Sequence, residues 1–201
     1  MSLNGDCTQD EEDAIDYAVQ KGVTVVVSAG NKNEDVVETY NCPAHKKNVI
    51  CVGAIDLRNV KADFSNYGST LDVVAPGVGI YSCVPGGYYE SWDGTSMATP
   101  HVAALAAMVK LVHPSYSPAQ VEKTIKANCK DLGPNGYDVK YGYGVPQFAS
   151  VDRVIDVKSV TLNKTSVTVK AGQKYTLKAT VSPSNATNKT ITWRSANPSV
   201  A

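Results

Sequence analysis

Ser96 lies two residues after Gly94 and directly ahead of an apolar run, in the string Gly94-Thr95-Ser96-Met97-Ala98-Thr99-Pro100-His101-Val102. A hydroxyl in the first turn of a helix sits among backbone N–H groups that lack an intrahelical acceptor, at the positive end of the helix dipole. Such a place suits a nucleophile, because attack on a carbonyl leaves an oxyanion that needs donors. Taken alone, Gly-Thr-Ser is more simply a helix cap, a position Ser and Thr commonly fill. Asn31 is the second residue of interest. It follows the β-branched run Val23-Thr24-Val25-Val26-Val27-Ser28 and then Ala29-Gly30, at the carboxyl end of a buried strand. Open α/β sheets bind their ligands at that end. The Asn31 amide could serve as a donor, although an Asn in a turn needs no function.

The ten residues from Gly94 to Ala103 closely resemble the nucleophile motif of the subtilisin-like serine proteases, and the resemblance runs from about Met1 to about Ile155. Val52-Gly53-Ala54, Phe64-Ser65-Asn66, Ala75-Pro76-Gly77 and the Gly142-x-Gly144 segment continue it in order. The resemblance implies that Ser96 is the acylated nucleophile and Asn31 the oxyanion donor. It also implies that Ser2, Leu3, Asn4 and Gly30 contact a protein or peptide substrate beside the S1 pocket; Asn4 stands where the family commonly has glycine. Family members often bind calcium, so calcium is an option for the parent, but Asp72 is a lone carboxylate and no metal site is assigned.

The family order is Asp, then His, then Ser. His101 follows the serine by five residues and is expected to face away from it, His113 precedes Pro114, and His45 lacks the family's His-Gly-Thr setting. The triad Asp and His are therefore expected ahead of residue 1, and the chain alone is expected to be inactive for want of a base. Two functions of different class remain. One is a serine endopeptidase in the parent; the other is a non-catalytic surface module on a protease-like scaffold. Intact Ser96 and Asn31 favour the enzyme.

The elements that must position these residues follow from pattern. Thr8-Gln9-Asp10-Glu11 reads as a capping box, and Ala14, Ile15, Ala18 and Val19 share one helical face. Strands are expected over 23–28 and 49–56, and Leu71 to Gly77 is a further block of the family resemblance. The helix after Ser96 is apolar on every side and is expected to be buried all round, with Pro100 near its first turn. Ser117-Pro118-Ala119-Gln120 opens a further helix. From about Asp156 the pattern changes to period two in 159–163, 166–169 and 175–179, punctuated by Gly172, Pro183-Ser184-Asn185 and Asn197-Pro198. Asn185 to Trp193 resembles bacterial immunoglobulin-like repeats of the group 2 type, which implies a bacterial, secreted or cell-surface protein.

The expected fold class is α/β, a partial subtilisin-like parallel sheet with helices on both faces over residues 1–155. An incomplete all-β Ig-like sandwich over 156–201 is expected to follow. The chain has 201 residues, zero formal net charge and 19% charged residues, so nothing points to nucleic acid. No run reaches the roughly 20 apolar residues of a bilayer span. Five cysteines leave at least one thiol unpaired within the chain; none has zinc-ligand spacing, so small buried hydrophobes with room for one disulfide are expected. A sheet cut at an edge is also expected to self-associate.

Overall fold

The computed structural model describes residues 1–3, 5–147, 157–184, 186 and 188–196. Asn4, the expected boundary near 155, and the turn residues Asn185 and Asn197-Pro198 lie outside them. The chain divides into two compact units, Met1–Val151 and Asp152–Ala201.

The first unit is built on three parallel strands in the order β1 (Val26–Ser28), β2 (Ile50–Ile55) and β3 (Val73–Pro76). Val26 pairs with Ile50 and Val52 with Val73. Side chains alternate across a strand, and both faces are covered here. Val26, Ile50, Val52, Ala54, Val73 and Ala75 pack under the long helix α2 (Thr95–Val112). Val27, Cys51, Ile55 and Val74 pack on the other side with Ile15 of α1 (Gln9–Gln20). Burial on two faces explains the continuous apolar runs. The β1 strand is shorter than expected, because Val23 is exposed and only Val26 onward joins the ladder.

The helix ends follow the sequence. Thr8 and Glu11 exchange both bonds of a capping box at α1, and Ser117 and Gln120 do the same at α3 (Pro118–Ala127). The α2 helix departs from expectation twice. Pro100 lies at its sixth residue rather than in the first turn, so the helical bond it cannot make is the one to the Ser96 carbonyl. The helix is also covered on one side only: Val102, Leu105 and Val109 are buried, but Met108 is 40% and Leu111 65% exposed.

An antiparallel hairpin of β4 (Ile80–Val84) and β5 (Tyr88–Trp92) follows the sheet. The segment after α3 folds back through the short pair β6 (Cys129–Lys130) and β7 (Val145–Pro146). Its Gly142 and Gly144 have φ of 60° and 98°. A Cβ on Gly142 would lie 2.3 Å from the Asp72 carbonyl oxygen, and one on Gly144 2.1 Å from that of Lys130, so neither site admits a side chain. The closeness lets Tyr143 N–H donate to Asp72 O at 2.8 Å and Val74 N–H to Gly144 O at 3.0 Å, fastening the segment to β3.

In the second unit β8 (Ser159–Leu162) and β9 (Ala179–Ser182) pair antiparallel. The stretches 166–169 and 175–178, expected as strands, are not in a ladder, and β9 starts where the third was expected to end. Val160, Leu162, Val167, Val169 and Leu177 are all exposed. Alternating residues form stable strands only where a second layer covers one face, and among the described residues none does.

Candidate active site

The site lies where the chain leaves the carboxyl ends of the parallel strands. Gly77 N–H donates to Ile55 O at 3.0 Å and Gly94 N–H to Gly77 O at 2.8 Å. The turn before Ser96 is thereby tied to the ends of β2 and β3. Asp93 Oδ1 accepts from Gly79 N–H at 2.7 Å on the other side of that turn. Thr95, fully buried, begins α2 and projects its hydroxyl toward the loop after β1. Its Oγ1 accepts from Gly30 N–H at 3.1 Å and donates to Asn31 Oδ1 at 2.8 Å. Thr95 N–H donates to the same Asn31 oxygen at 2.9 Å.

Both donations fall on the carbonyl end of the Asn31 amide, so its Nδ2 end is turned away from Thr95. No hydrogen bond engages Nδ2 or the Ser96 N–H among the described residues. A Cβ on Gly94 would stand 3.5 Å from Asn31 Nδ2 and 3.6 Å from Ser96 N. The two donors thus border one small space that exists because residue 94 has no side chain, with Met97 Sδ, 3.3 Å from the same point, forming its third wall. An oxygen bearing negative charge, placed there, would accept from both, one of them at a helix N-terminus.

The N-terminal segment closes the other side. Ser28 N–H donates to Met1 O at 3.2 Å, and the terminal ammonium of Met1 donates to Val26 O. Ser28 Oγ donates to Leu3 O at 3.3 Å. Segment 1–3 therefore runs along the outer edge of β1, the edge that sequence reasoning left unpaired. Gly5 and Cys42 exchange two backbone bonds at 3.0 and 2.9 Å, and a disulfide joins Cys7 to Cys42. Ser96 Oγ donates to Ser2 O at 2.9 Å, which brings Ser2, Leu3, Gly30, Asn31 and Ser96 into one site. Gly30 has both backbone groups engaged, its N–H with Thr95 and its carbonyl with Asn66 N–H at 2.9 Å.

No histidine bonds to Ser96 among the described residues. His101 lines the same pocket of about 480 Å3 as Ser96, but its Nδ1 is paired with Met97 O at 3.0 Å. His45 is half-buried rather than open, stacked on Tyr40 at 4.1 Å and 3.6 Å from Glu12. Asp72 is occupied as well: Lys126 Nζ lies 2.6 Å from Oδ1, and Oδ2 accepts from Cys51 N–H at 2.7 Å. Burial raises the Asp72 carboxyl to about 6 against the pull of Lys126. Burial alone would lower the Lys126 ammonium, yet Asp72 and Glu122 hold it above its ordinary value. Three thiols are free, Cys51 buried, Cys129 half-buried and Cys83 exposed on β4. Burial pushes the Cys129 thiol up to about 12. No group of three or more metal-ligating side chains occurs among the described residues.

Sequence reasoning named Asn66 only within the Phe64-Ser65-Asn66 motif, gave Thr95 no anchoring role, and passed over the β4–β5 hairpin that walls the pocket. Only the hairpin had a local signal, Pro85-Gly86-Gly87 between alternating segments.

A parallel sheet, a serine at a helix N-terminus and a tethered asparagine amide define a subtilisin-like arrangement. Residues 1–144 match the subtilase family and residues 156–201 the bacterial Ig-like domain (group 2). The chain belongs to the subtilase family. Alkaline elastase YaB of Bacillus sp. (strain YaB) is 48% identical over 122 residues, 61% of this chain and 32% of that protein. Subtilisin of Bacillus pumilus is 43% identical over 132 residues, 65% of this chain and 47% of that one. A solved protease of Pseudoalteromonas arctica PAMC 21717 superposes with a TM-score of 0.67 at 31% identity, covering 75% of this chain and 49% of that one. The chain thus spans about a third to a half of the length of these relatives.

Proposed function

We propose that this chain carries the nucleophile and oxyanion-binding part of a serine endopeptidase. Ser96 Oγ attacks the scissile carbonyl carbon, its proton passing to a base. The carbonyl oxygen becomes the oxyanion between Asn31 Nδ2 and Ser96 N–H. Collapse expels the amine and leaves an acyl ester on Ser96, which water then cleaves. The backbone of Ser2 and Leu3, together with Gly30, borders the acyl side of the substrate; Asn4, expected on the same substrate strand, lies outside the described residues. The observation that carries this reading is the Thr95-tethered Asn31 amide, whose free end shares one open space with the Ser96 N–H.

A base has to come from a segment outside these 201 residues, since the Ser96 hydroxyl donates to a backbone carbonyl and to no histidine. The chain alone is accordingly a poor nucleophile. Secretion or display at a bacterial cell surface fits the Cys7–Cys42 disulfide, which persists in oxidising surroundings. The membrane plays no part in this reading. α2 has the length and composition of a span, but its buried face lies on the sheet as a core helix does. Treatment of the protease domain, including its acid–base segment, with a fluorophosphonate probe tests the assignment. Ser96-dependent labelling is expected, and labelling that survives Ser96→Ala would overturn it.

A further inference from the structure

We infer that Asn66 is the positioning residue of the oxyanion loop, its buried amide fixing residues 29–34 on both sides of Asn31. The inference rests on reading Asn31 as the oxyanion donor. Asn31 stands in a solvent-exposed loop without regular structure, and Asn33 two residues on has a left-handed φ of 55°. Thr95 holds the Asn31 side chain but makes no bond to the backbone beyond Gly30, so the path of the loop has to be imposed from elsewhere.

Asn66 supplies it. The residue is fully buried. Its Nδ2 donates to Ala29 O at 3.0 Å, and its Oδ1 accepts from Lys32 N–H at 2.9 Å and Glu34 N–H at 3.1 Å. One planar amide thus bonds the chain before Asn31 and twice after it. The backbone around Asn66 adds to the clamp. Asn66 N–H donates to Gly30 O at 2.9 Å, Asn33 N–H to Phe64 O at 2.8 Å, and Tyr67 N–H to Glu34 O at 3.1 Å.

The residue type follows from this geometry. The site needs a donor toward Ala29 O and an acceptor toward two N–H groups on one short side chain. Ser reaches too little, and Asp would set a buried carboxylate against the Ala29 carbonyl. Loss of Asn66 leaves the Lys32 and Glu34 N–H groups without their acceptor and lets the loop drift. A displacement of about 1 Å at a reacting geometry can cost on the order of 100-fold.

Two measurements test this. In the 201-residue chain, Asn66→Ala is expected to speed amide exchange at Lys32 and Glu34 by about tenfold or more, through local opening. Unchanged exchange at both would overturn the inference, whether or not the chain is catalytic. In the protease domain with its acid–base segment, Asn66→Ala is expected to lower kcat by about 10- to 100-fold, short of the 10²–10³ lost with the donor itself. KM should stay within about twofold, because ground-state binding does not use the donor. Thr70→Val, which removes a different buried polar group, a hydroxyl donating to Ala44 O at 2.8 Å, should lower stability and leave kcat alone. Asn66→Asp keeps both acceptor bonds and is expected to fall between wild type and Asn66→Ala in kcat. A kcat that tracks stability equally in the Asn66 and Thr70 variants would also overturn the inference. Absence of Ser96 labelling in the unsubstituted protein would instead count against the protease reading, with the exchange result still deciding whether Asn66 holds the loop.

Discussion

The Asn31 side-chain oxygen accepts from both the N–H and the hydroxyl of Thr95, at 2.9 and 2.8 Å. One residue at the start of α2 therefore orients the amide of another at the end of β1 and, through its own position, sets Ser96 beside it. A double acceptor fixes which end of the amide is the oxygen, so Nδ2 is turned outward, without a further partner among the described residues.

Thr95→Val keeps the shape and the N–H bond but removes the hydroxyl. Gly30 N–H loses its acceptor and Asn31 Oδ1 loses one of two donors. With Asn31 as oxyanion donor, kcat is expected to fall by about 10-fold with little change in KM, less than for deletion of the Asn31 donor. Steady-state kinetics on the protease domain with its acid–base segment check this, and an unchanged kcat would show that the N–H alone suffices.

The disulfide should matter to the same site from the opposite side. Cys7 and Cys42 are 35 positions apart, and Gly5 bonds to Cys42 just beyond Leu3. Closing a loop of that length is worth about 3–4 kcal/mol in the chain-entropy account. Reduction, or Cys7→Ser with Cys42→Ser, is expected to lower the Tm and release segment 1–3 from β1. Amide exchange at Ser28, whose N–H donates to Met1 O, should then accelerate. Protection of Ser28 that survives reduction would mean that the β1 pairing holds unaided.

How much of this was legible in the sequence depended on range. The capping boxes at Thr8 and Ser117, and Ser96 at the head of α2, were readable because cause and effect lie within four residues. The Thr95–Asn31 tether spans 64 positions and the Asn66–Lys32 bond 34, so neither leaves a local pattern. Apolar composition marked α2 as a packing helix but could not say which side the sheet would cover; Leu111 and Val109 look alike in the sequence and differ entirely in burial. The Ig-like stretch shows the reverse failure. Period-two alternation in 166–169 states a preference for strand, and the layer that would make it one is not among the described residues.

Asp72 gives the first unit a pH dependence with a definite sign. Burial raises its carboxyl to about 6 from an ordinary 3.8. Between those values the folded protein holds a proton that the unfolded chain releases. This contribution to stability is fully present below about pH 3.8 and is lost as pH rises through 6. The loss is on the order of 3 kcal/mol, from a shift of about two units. Asp72→Asn should flatten that part of the profile while lowering stability at neutral pH, because the Lys126 ammonium loses its 2.6 Å partner. Urea unfolding between pH 4 and 7 measures both effects. An unaltered slope in the variant would place the titration on another group.

The last expectation concerns the open side of α2. Segment 1–3 covers the edge of β1, so the exposed edge moves outward to the N-terminal segment itself, where Met1 is 54% and Leu3 74% exposed. Beside it, a groove of about 770 Å3 opens between α1 and α2, walled by Ala14, Ile15, Ala18, Ala103 and Ala107 over Val25. An apolar groove beside exposed Met1 and Leu3 favours association with a second chain, since apolar area is removed from water. The 201-residue chain is therefore expected to associate at micromolar concentration. A charge in the groove, Ala107→Glu, should weaken that association without touching the sheet core, because Ala107 faces away from it. Sedimentation velocity and light scattering across a concentration series read the outcome. A wild-type chain that stays a compact monomer with cooperative unfolding throughout would show that the groove is tolerated in water and that the sheet needs no further cover.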